Sequence, residues 1–355
     1  MARQPSRTAT RRLFDMAAAR VKGFLPDNWE FDVVSRSDTG GAVRLASPDD
    51  TATTITVAVR DRLATREAAA LPDPAAPTII AAPWLSPRTR ELLDEGGFNY
   101  IDQTGSTSLK INRPGLVVQT DGALRDPSPP PRRGPNLRGP RAWALMRTLV
   151  ELEPPYGVTD LSRVLGMDPG YVSRLLTALA EELLITRKPR GPVEGVVWES
   201  LMRQIAVDYS LYKSNETTSW IAGAGPEQFL RDLAASDDKG WVVTGSFAAE
   251  ALVSIAPAVV VVVYTEDPEH LAEMTRLRQV RTGGNVRLAR PYDPIVFERT
   301  WTRNGMDYAS IPQVAVDCLT GPGRMPAEGE ALLTWMRTRP SDWRSSLLRR
   351  GAGPA

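Results

Sequence analysis

The chain has 355 residues, of which 42% are hydrophobic and 24% are charged, and its 43 Lys and Arg residues are balanced by 42 Asp and Glu residues. This length is enough for two or three domains. A single cysteine, Cys318, excludes an internal disulfide, and with only one histidine, His270, it also excludes zinc fingers, iron–sulfur sites and other metal centres built from soft ligands. Metal chemistry through soft ligands is therefore excluded, and we expect a globular protein without a cofactor.

The N-terminal segment resembles an export signal only superficially. Arg11 and Arg12 match a twin-arginine pair, but Asp15, Arg20 and Lys22 interrupt the apolar run that such a signal needs. The longest apolar stretch of the chain is about half of the roughly 20 residues that a membrane-spanning helix requires. These features predict a cytoplasmic protein, and the DNA-binding interpretation below would place it on the nucleoid.

The first 125 residues predict an α/β domain. An amphipathic helix at about 8–23 is followed by a meander of three strands in which polar and apolar residues alternate, at 29–35, 42–46 and 53–59. Beyond the meander, Ser86 is a typical N-cap and Pro87 a typical first helical residue. The pattern around them predicts a strand at 78–82, a helix at 86–95 and strands at 99–102 and 108–112. Strands and helices in this order predict a layered α/β sandwich.

Residues 82–106 resemble a segment at the front of bacterial regulators that have a restriction-endonuclease-like fold. In active members of that fold, an acidic residue and a carboxylate-x-Lys motif hold Mg²⁺ and activate water. The corresponding strand here reads Ala58-Val59-Arg60 and lacks the carboxylate, so the resemblance implies an inactive domain. Asp32 and Asp102 remain candidate metal ligands, although Asp102 fits better as the cap of the turn at 103–105.

A proline-rich stretch separates this domain from the next one. Residues 126–140 contain six prolines and two glycines, which prevent regular helix or sheet hydrogen bonding, and we assign a semi-rigid linker at 126–139. The charge balance shifts at the same point, because residues 132–190 contain ten Lys and Arg but only six Asp and Glu. The basic surplus of this nearly neutral chain is therefore central.

Residues 140–200 predict a winged helix-turn-helix domain. Apolar residues at three- and four-residue spacing indicate a first helix at 143–152. Thr159 is the expected N-cap of a short second helix that ends at Gly166, and Asp168 is the expected cap of a third helix. A hairpin with a basic tip follows the third helix, and its strands are predicted at 184–188 and 196–199.

The run Gly-Tyr-Val-Ser-Arg-Leu-Leu at 170–176 is similar to the start of the recognition helix in the MarR-like and IclR-like DNA-binding families. The run Leu-Leu-Ile-Thr-Arg at 183–187 resembles the junction between helix and wing in the same families. In a helix-turn-helix domain, the N-terminal residues of the recognition helix meet base edges in the major groove. We therefore predict that double-stranded DNA is the partner of this domain.

The predicted DNA contacts fall into two groups. Arg174 is the expected base reader, because a guanidinium can bond guanine O6 and N7 together. It lies on the exposed face of the recognition helix, with Tyr171, Ser173 and Thr177. The second group should contact phosphates or a minor groove, and so position the protein without reading sequence. It consists of Arg187, Lys188 and Arg190 on the wing and of Arg138 and Arg141 before the first helix.

Two further points concern the partners of this domain. One winged helix reads few base pairs, so specific binding favours a homodimer. The open alternative is that the three-helix unit is a protein–protein adaptor whose charges form a solvated face.

Residues 201–345 predict a second α/β domain. After a helix-rich connection at 200–235, the pattern indicates a strand, a Gly245-Ser246 turn, a helix and a valine-rich strand at 259–264. This order resembles the opening of the nucleotidyltransferase fold, in which Gly-Ser cradles a triphosphate and two carboxylates on the next strand hold Mg²⁺. Valines occupy those strand positions, so the resemblance implies an inactive domain, and the turn is then an ordinary helix start. His270, in an acidic stretch, is expected on a surface helix.

The runs at 285–297 and 310–335 are similar to the closing strands and helix of AbiEi-type antitoxins, which join a winged helix to a catalytically empty nucleotidyltransferase-like domain. This resemblance covers about 140–340 and leaves the N-terminal domain as an addition. We therefore predict a regulator that is not an enzyme, with α/β domains flanking a winged helix. Two alternatives stay open, namely a type IV antitoxin with a toxin or other protein partner, and a metal-dependent DNA-processing enzyme.

Overall fold

The computed structural model describes residues 7–129, 137–236, 239–253 and 255–346. The chain forms two compact units, one made of the residues up to 133 with the short segment 181–183, and the other of the rest of the chain from 134 onward. Residues 130–136 of the predicted linker lie outside the described ranges. Within these ranges, no helix is both long enough and apolar enough to cross a membrane.

The first unit is built on a seven-stranded sheet. Its strands are β1 (Glu30–Ser37), β2 (Gly40–Ala46), β3 (Ala52–Val59), β4 (Thr78–Ala82), β5 (Asn99–Asp102), β6 (Thr107–Ile111) and β7 (Leu116–Thr120). Its helices are α1 (Arg7–Phe24), α2 (Thr65–Ala69) and α3 (Pro87–Glu95). The strands lie across the sheet in chain order, with parallel pairing from β3 to β5 and antiparallel pairing in the other pairs.

The core of this unit follows from the predicted periodicities. The apolar stripe of α1, which includes Leu13 and Phe14, packs with buried residues of β2 and β3 in one cluster. Gly41 lets the sheet approach that helix, because a Cβ there would lie 2.6 Å from a ring carbon of Phe14. The predicted strands and helices are confirmed, including Ser86 as the N-cap of α3. The sequence patterns missed α2 and β7, which are five residues each.

The second unit opens with the predicted three helices and hairpin. These elements are α4 (Pro140–Glu151), β8 (Leu152–Glu153), α5 (Val158–Leu165), α6 (Pro169–Glu181), β9 (Ile185–Arg187) and β10 (Val193–Val196). The prediction of Thr159 as N-cap is wrong, because α5 begins at Val158 and the N–H of Gly157 donates to Asp160 Oδ2 at 3.0 Å. The predicted strand at 196–199 is also wrong. Trp198 starts a helix whose buried side recurs at helical spacing through Leu201, Met202 and Ile205.

The remainder of the second unit contains a second seven-stranded sheet. Its helices are α7 (Trp198–Asp208), α8 (Leu211–Ser214), α9 (Pro226–Ala234), α10 (Gly245–Glu250), α11 (Pro268–Met274), α12 (Ile311–Leu319) and α13 (Met325–Thr338), with 3₁₀ turns at Pro294–Phe297 and Pro340–Asp342. The seven strands of the sheet are β11 (Glu216–Ile221), β12 (Trp241–Thr244), β13 (Val261–Thr265), β14 (Arg278–Val280), β15 (Val286–Arg290), β16 (Trp301–Arg303) and β17 (Met306–Tyr308). A further short strand, β18 (Ser345–Ser346), lies outside this sheet. The sheet order is β14-β11-β15-β13-β12-β17-β16, so the helix-rich connection predicted at 200–235 also contains an inner strand, β11.

The three-helix domain and the following α/β domain share one hydrophobic core. Buried residues of α4, α5 and α6 belong to the same cluster as those of α7, α12 and α13. Trp143 of α4 stacks on Tyr209 with ring centroids 5.2 Å apart, and β8 pairs in parallel with β18. The boundary predicted at 200 falls inside α7, a helix that contacts both α4 and α12.

Candidate nucleic-acid interface

Local chemistry fixes the turn between α5 and α6. Gly166 ends α5 with a φ of 59°, in the left-handed region that glycine adopts without a steric penalty. The Ser162 hydroxyl donates to the carbonyl of Met167, whose side chain is buried. Asp168 Oδ1 accepts from the N–H of Tyr171 at 2.8 Å, which confirms the predicted cap of α6. A short helix, a three-residue turn and a capped helix are the parts of a helix-turn-helix.

The second helix of this motif, α6, has one buried and one accessible face. The buried stripe consists of Val172, Leu175, Leu176 and Leu179. Of the four predicted contact residues, Arg174 and Thr177 are exposed and Tyr171 and Ser173 are half-buried. The apolar stripe anchors the helix in the shared core, and the side chains between its members are left at the surface.

Arg174 is the cation on α6 that the protein leaves unpaired. It forms no hydrogen bond and no ion pair with any part of the chain that the structure describes. Thr177 Oγ1 donates to the carbonyl of Ser173 at 2.9 Å, so its lone pairs remain able to accept from a ligand. A free guanidinium has five donors in a planar fork, which is the group that recognises guanine through two bonds.

The wing carries two accessible cations. Arg190 is exposed at the tip with a φ of 59°, and beside it the N–H of Gly191 donates to the carbonyl of Lys188 at 2.9 Å. Lys188 Nζ lies 3.8 Å from Glu194 Oε1 across the hairpin, and such an exposed, loose pair contributes little. Arg187 is half-buried at the end of β9. Of the three predicted wing contacts, Lys188 and Arg190 are therefore the two whose charged groups are accessible at the surface.

The two predicted contacts before α4 are partly occupied by the protein itself. Arg138 Nε lies 3.1 Å from Asp208 Oδ1 at the end of α7. Arg141 is exposed and lines a cavity of about 290 Å³ together with Asp293. Burial raises the pKa of Asp293, while a hydrogen bond from Ile295 and the nearby positive charge of Arg141 act in the opposite direction. Both arginines thus have carboxylate neighbours, and DNA would have to compete with them.

Behind α4 lies a buried ionic network that the sequence patterns missed. Arg147 is 2% exposed, and its Nε lies 2.6 Å from Glu151 Oε1 one turn further along α4. Its other nitrogens donate to the carbonyl of Ile295 at 2.6 Å, to the carbonyl of Glu298 at 2.8 Å and to Ser310 Oγ at 2.9 Å. The network therefore ties α4, which precedes the helix-turn-helix, to the 3₁₀ turn at Pro294–Phe297 and to the start of α12.

Glu151 completes this network from the other side. It is 1% exposed and accepts from Arg147, from Arg299 and from the Ser310 hydroxyl. Burial alone would raise the pKa of Glu151, but the two guanidinium groups and the hydroxyl outweigh it and hold the pKa below its ordinary value. A signal was present in the sequence, because Arg147 and Glu151 fall four residues apart within an otherwise apolar helix.

A second buried cluster surrounds Asp317 on α12. The carboxylate accepts from the hydroxyls of Tyr209 and Thr244, each at 2.6 Å. Tyr264 donates to it at 2.9 Å, and so does Gln313 Nε2. Burial nevertheless raises the pKa of Asp317 to about 6, against the opposing effect of these donors. The cluster lies in the shared core, where it joins β12, β13, α12 and the end of α7.

Asp102 is placed as a turn cap. It is fully buried, and its Oδ1 accepts from the N–H of Thr104 at 2.9 Å, from the Thr104 hydroxyl at 2.7 Å and from the N–H of Ser106 at 3.1 Å. Its other oxygen faces the N–H of Leu85 at 3.3 Å and Arg90 Nη2 at 3.4 Å. Because five donors surround the two oxygens, the turn-cap interpretation is supported and the metal-ligand interpretation is not.

Asp32 and Asp102 do not belong to one site. Asp32 lies on β1 and Asp102 on β5, with three strands between them. At about 4.8 Å per strand, this separation is on the order of 19 Å, far beyond the reach of one metal ion. The Asp32 side chain is 68% exposed beside Arg44. In the described ranges, no group of three or more His, Cys, Asp and Glu side chains is arranged to hold a metal.

The Gly245-Ser246 turn is filled by the protein. Gly245 has a φ of 66°, and a Cβ there would lie 3.2 Å from Met325 Cε. Ser246 Oγ donates to Glu328 Oε2 at 2.6 Å, so a carboxylate of α13 sits where a phosphate would need space. The face of β13 beside the turn presents Val262. This packing supports an ordinary helix start, while His270 is exposed on α11 as predicted.

Residues 140–189 match the family model of the IclR helix-turn-helix domain. The matched stretch spans α4, α5, α6 and β9, which are the elements that carry the exposed Arg174. No match was found among curated proteins or among solved structures. The second unit therefore contains an IclR-type helix-turn-helix, which supports a DNA-binding transcriptional regulator. The match gives no support to the antitoxin or to the DNA-processing alternative.

Proposed function

We propose that the chain is a transcriptional regulator that binds duplex DNA by placing α6 in the major groove. The observation that carries this proposal is the unpaired, exposed Arg174 on the second helix of an IclR-type helix-turn-helix. Because Arg174 has no protein partner among the described residues, it can meet a base edge without first breaking an ion pair, and the buried apolar stripe of α6 fixes the backbone that carries it.

Each predicted contact residue has a distinct role in this proposal. Arg174 reads a guanine, with Tyr171, Ser173 and Thr177 supplying neighbouring contacts to bases or phosphates. Arg190 and Lys188 neutralise phosphates or enter a minor groove beside the wing. Arg187 contributes less because it is half-buried, and Arg138 and Arg141 contribute less because they have carboxylate neighbours.

The flanking domains have non-catalytic roles in the proposal. We assign the first unit to a degenerate endonuclease-like fold and the C-terminal sheet to a degenerate nucleotidyltransferase-like fold. Support comes from the separation of Asp32 and Asp102 on the first sheet and from the packing of Glu328 over the Gly245-Ser246 turn. These domains would hold two copies together, since one winged helix reads few base pairs and a homodimer doubles the site.

The proposal is tested by selecting fragments of the source genome with the purified protein and sequencing them. Arg174→Ala is run beside the wild type, and Arg62→Ala serves as the matched control because Arg62 is an exposed arginine of the first unit with no described partner. We expect a short recurrent motif that Arg174→Ala loses and Arg62→Ala keeps. Loss of about 1–3 kcal/mol of discrimination corresponds to roughly five- to 150-fold at the guanine position.

Two results would count against this function. Uniform recovery of the genome by the wild type would indicate DNA binding without sequence recognition. An equal fall in specific and non-specific affinity for Arg174→Ala would show that Arg174 contacts the backbone and does not read a base.

A further inference from the structure

A concavity of about 460 Å³ lies at one end of the C-terminal sheet. Three adjacent strands form its floor, in the order β14, β11, β15. Val280, Ser219 and Arg287 are directly paired across these strands, so their side chains leave the same face of the sheet. Thr217 and Arg281 also line the concavity. The lining is therefore mainly hydroxyl and guanidinium groups on a rigid sheet.

The positive charge of this surface is not neutralised by the described chain. Arg281 and Arg287 line the concavity, and Arg278 lies two positions from Val280 on the same side of β14. None of the three forms an ion pair with a described residue. The Arg287 guanidinium lies 5.7 Å from the ring centroid of Tyr212 on α8, a contact that orients the group and leaves its N–H donors free.

The floor also contains an unsatisfied hydroxyl. Ser219 is 5% exposed, and its Oγ has no hydrogen-bond partner within the described ranges. Gly284 lies against it, because a Cβ at that position would come within 2.5 Å of Ser219 Oγ and 2.4 Å of the carbonyl of Trp220. This hydroxyl is enclosed against Gly284, so it makes the layer beneath the floor polar, and the groups that a ligand in the concavity would meet are the guanidinium groups.

We propose that this concavity, the Arg281–Arg287 site, binds a small molecule carrying an oxyanion, either a phosphoryl or a carboxylate group. Two guanidinium groups over a polar floor are suited to charge-assisted hydrogen bonds with planar or tetrahedral oxyanions. The volume lies within the range of small-molecule pockets. The site belongs to the domain that shares a core with the helix-turn-helix, so a role as effector site rests on the proposed function, whereas binding itself does not.

The test is isothermal titration of the full-length protein, without DNA, using inorganic pyrophosphate and citrate as separate probes. Sodium chloride at matched ionic strength corrects for screening. The variants are Arg281→Ala, which removes an exposed side chain, and Arg287→Gln, which keeps a polar group beside Tyr212. Lys239→Ala is the matched control, because Lys239 is an exposed cation of the same domain. We expect each arginine variant to weaken binding on the order of tenfold or more, and the control to leave it unchanged.

The two probes separate the possible sources of the oxyanion. Binding of pyrophosphate without citrate assigns a phosphoryl ligand, and the reverse assigns a carboxylate ligand. The proposal is overturned if neither probe binds below about 10 mM, a free energy of only about 3 kcal/mol. It is equally overturned if both arginine variants bind pyrophosphate or citrate as tightly as the wild type does. A loss of DNA affinity in these variants, with no binding of either probe, would also overturn it. Failure of the regulator proposal would instead appear as absence of a DNA motif with anion binding intact.

Discussion

Replacement of Arg147 by methionine tests how the DNA-binding helices are joined to the rest of the second unit. Methionine keeps the length and apolar stem of the side chain but removes the guanidinium. The carbonyl of Ile295 then loses a donor at 2.6 Å and the carbonyl of Glu298 loses one at 2.8 Å. Glu151 keeps Arg299 and Ser310 as partners, so it remains charged but loses the guanidinium one turn away.

The expected cost follows from burial. The carbonyl of Ile295 still accepts from the N–H of Glu298 at 2.9 Å, so what is lost is the bonds from a charged donor. Such bonds contribute about 1.5–3 kcal/mol each, and removing one member of a buried ion pair costs about 3–5 kcal/mol in measured cases. The hydrogen-bond figure and the ion-pair figure describe partly the same lost interactions, so they are not added. We expect Arg147→Met to lower the free energy of unfolding by about 3–5 kcal/mol. Arg203→Met is the matched control. Arg203 pairs with Glu199 and Glu330 but its side chain is 37% exposed, so its loss should cost about 1 kcal/mol or less.

The measurement is urea unfolding followed by tryptophan fluorescence. A variant whose slope m, the dependence of the unfolding free energy on urea concentration, equals that of the wild type has changed in stability alone. The single variants Arg147→Met and Glu151→Leu and the double variant form a double-mutant cycle. The double variant should lose less unfolding free energy than the sum of the two single losses, because it leaves neither charge of the pair buried without its partner. A loss below about 1 kcal/mol for Arg147→Met, or strict additivity in the cycle, would refute the interpretation that this network is a coupled buried unit.

The remaining predictions concern pH, capping and salt. Burial raises the pKa of Asp317 from 3.8 to about 6, so the folded protein binds the extra proton and stability falls as the pH rises between these values. Asp317→Asn should remove about 3 kcal/mol of this fall, and an unchanged stability profile between pH 4 and pH 7 would contradict the assignment. Asp168→Ala should cost about 1 kcal/mol, measured by thermal unfolding, because Tyr171 loses its N-terminal acceptor; no change would mean that the cap is not formed in solution. Lys188→Ala and Arg190→Ala should each reduce the slope of log K against log salt by about 0.9, and a slope equal to that of the wild type would remove the wing from the DNA contact.

Local patterns were sufficient for the helix-turn-helix. The period of α6 separates its buried leucines from Arg174, and Gly166 and Asp168 mark the turn through their own backbone chemistry. Each of these signals involves residues within one or two helical turns of one another, so it can be recognised in the sequence without tertiary information. The errors also have local causes. Thr159 and Asp160 are both good capping residues, and the apolar run from Val196 to Trp198 fits a strand as well as a helix start.

The sequence by itself determined the class of the central domain, most elements of the first sheet and the exposed face of α6, because these depend on periodicity and capping over a few residues. Tertiary structure alone decided the partners of Arg147 outside α4, which lie 148 to 163 residues away, and the ion pair between Arg138 and Asp208 of α7. It also brought Ser219, Val280 and Arg287 from three strands into one row. Such groupings depend on the order of the strands and on which elements share a core. A local sequence pattern does not specify which distant residues become neighbours in the fold.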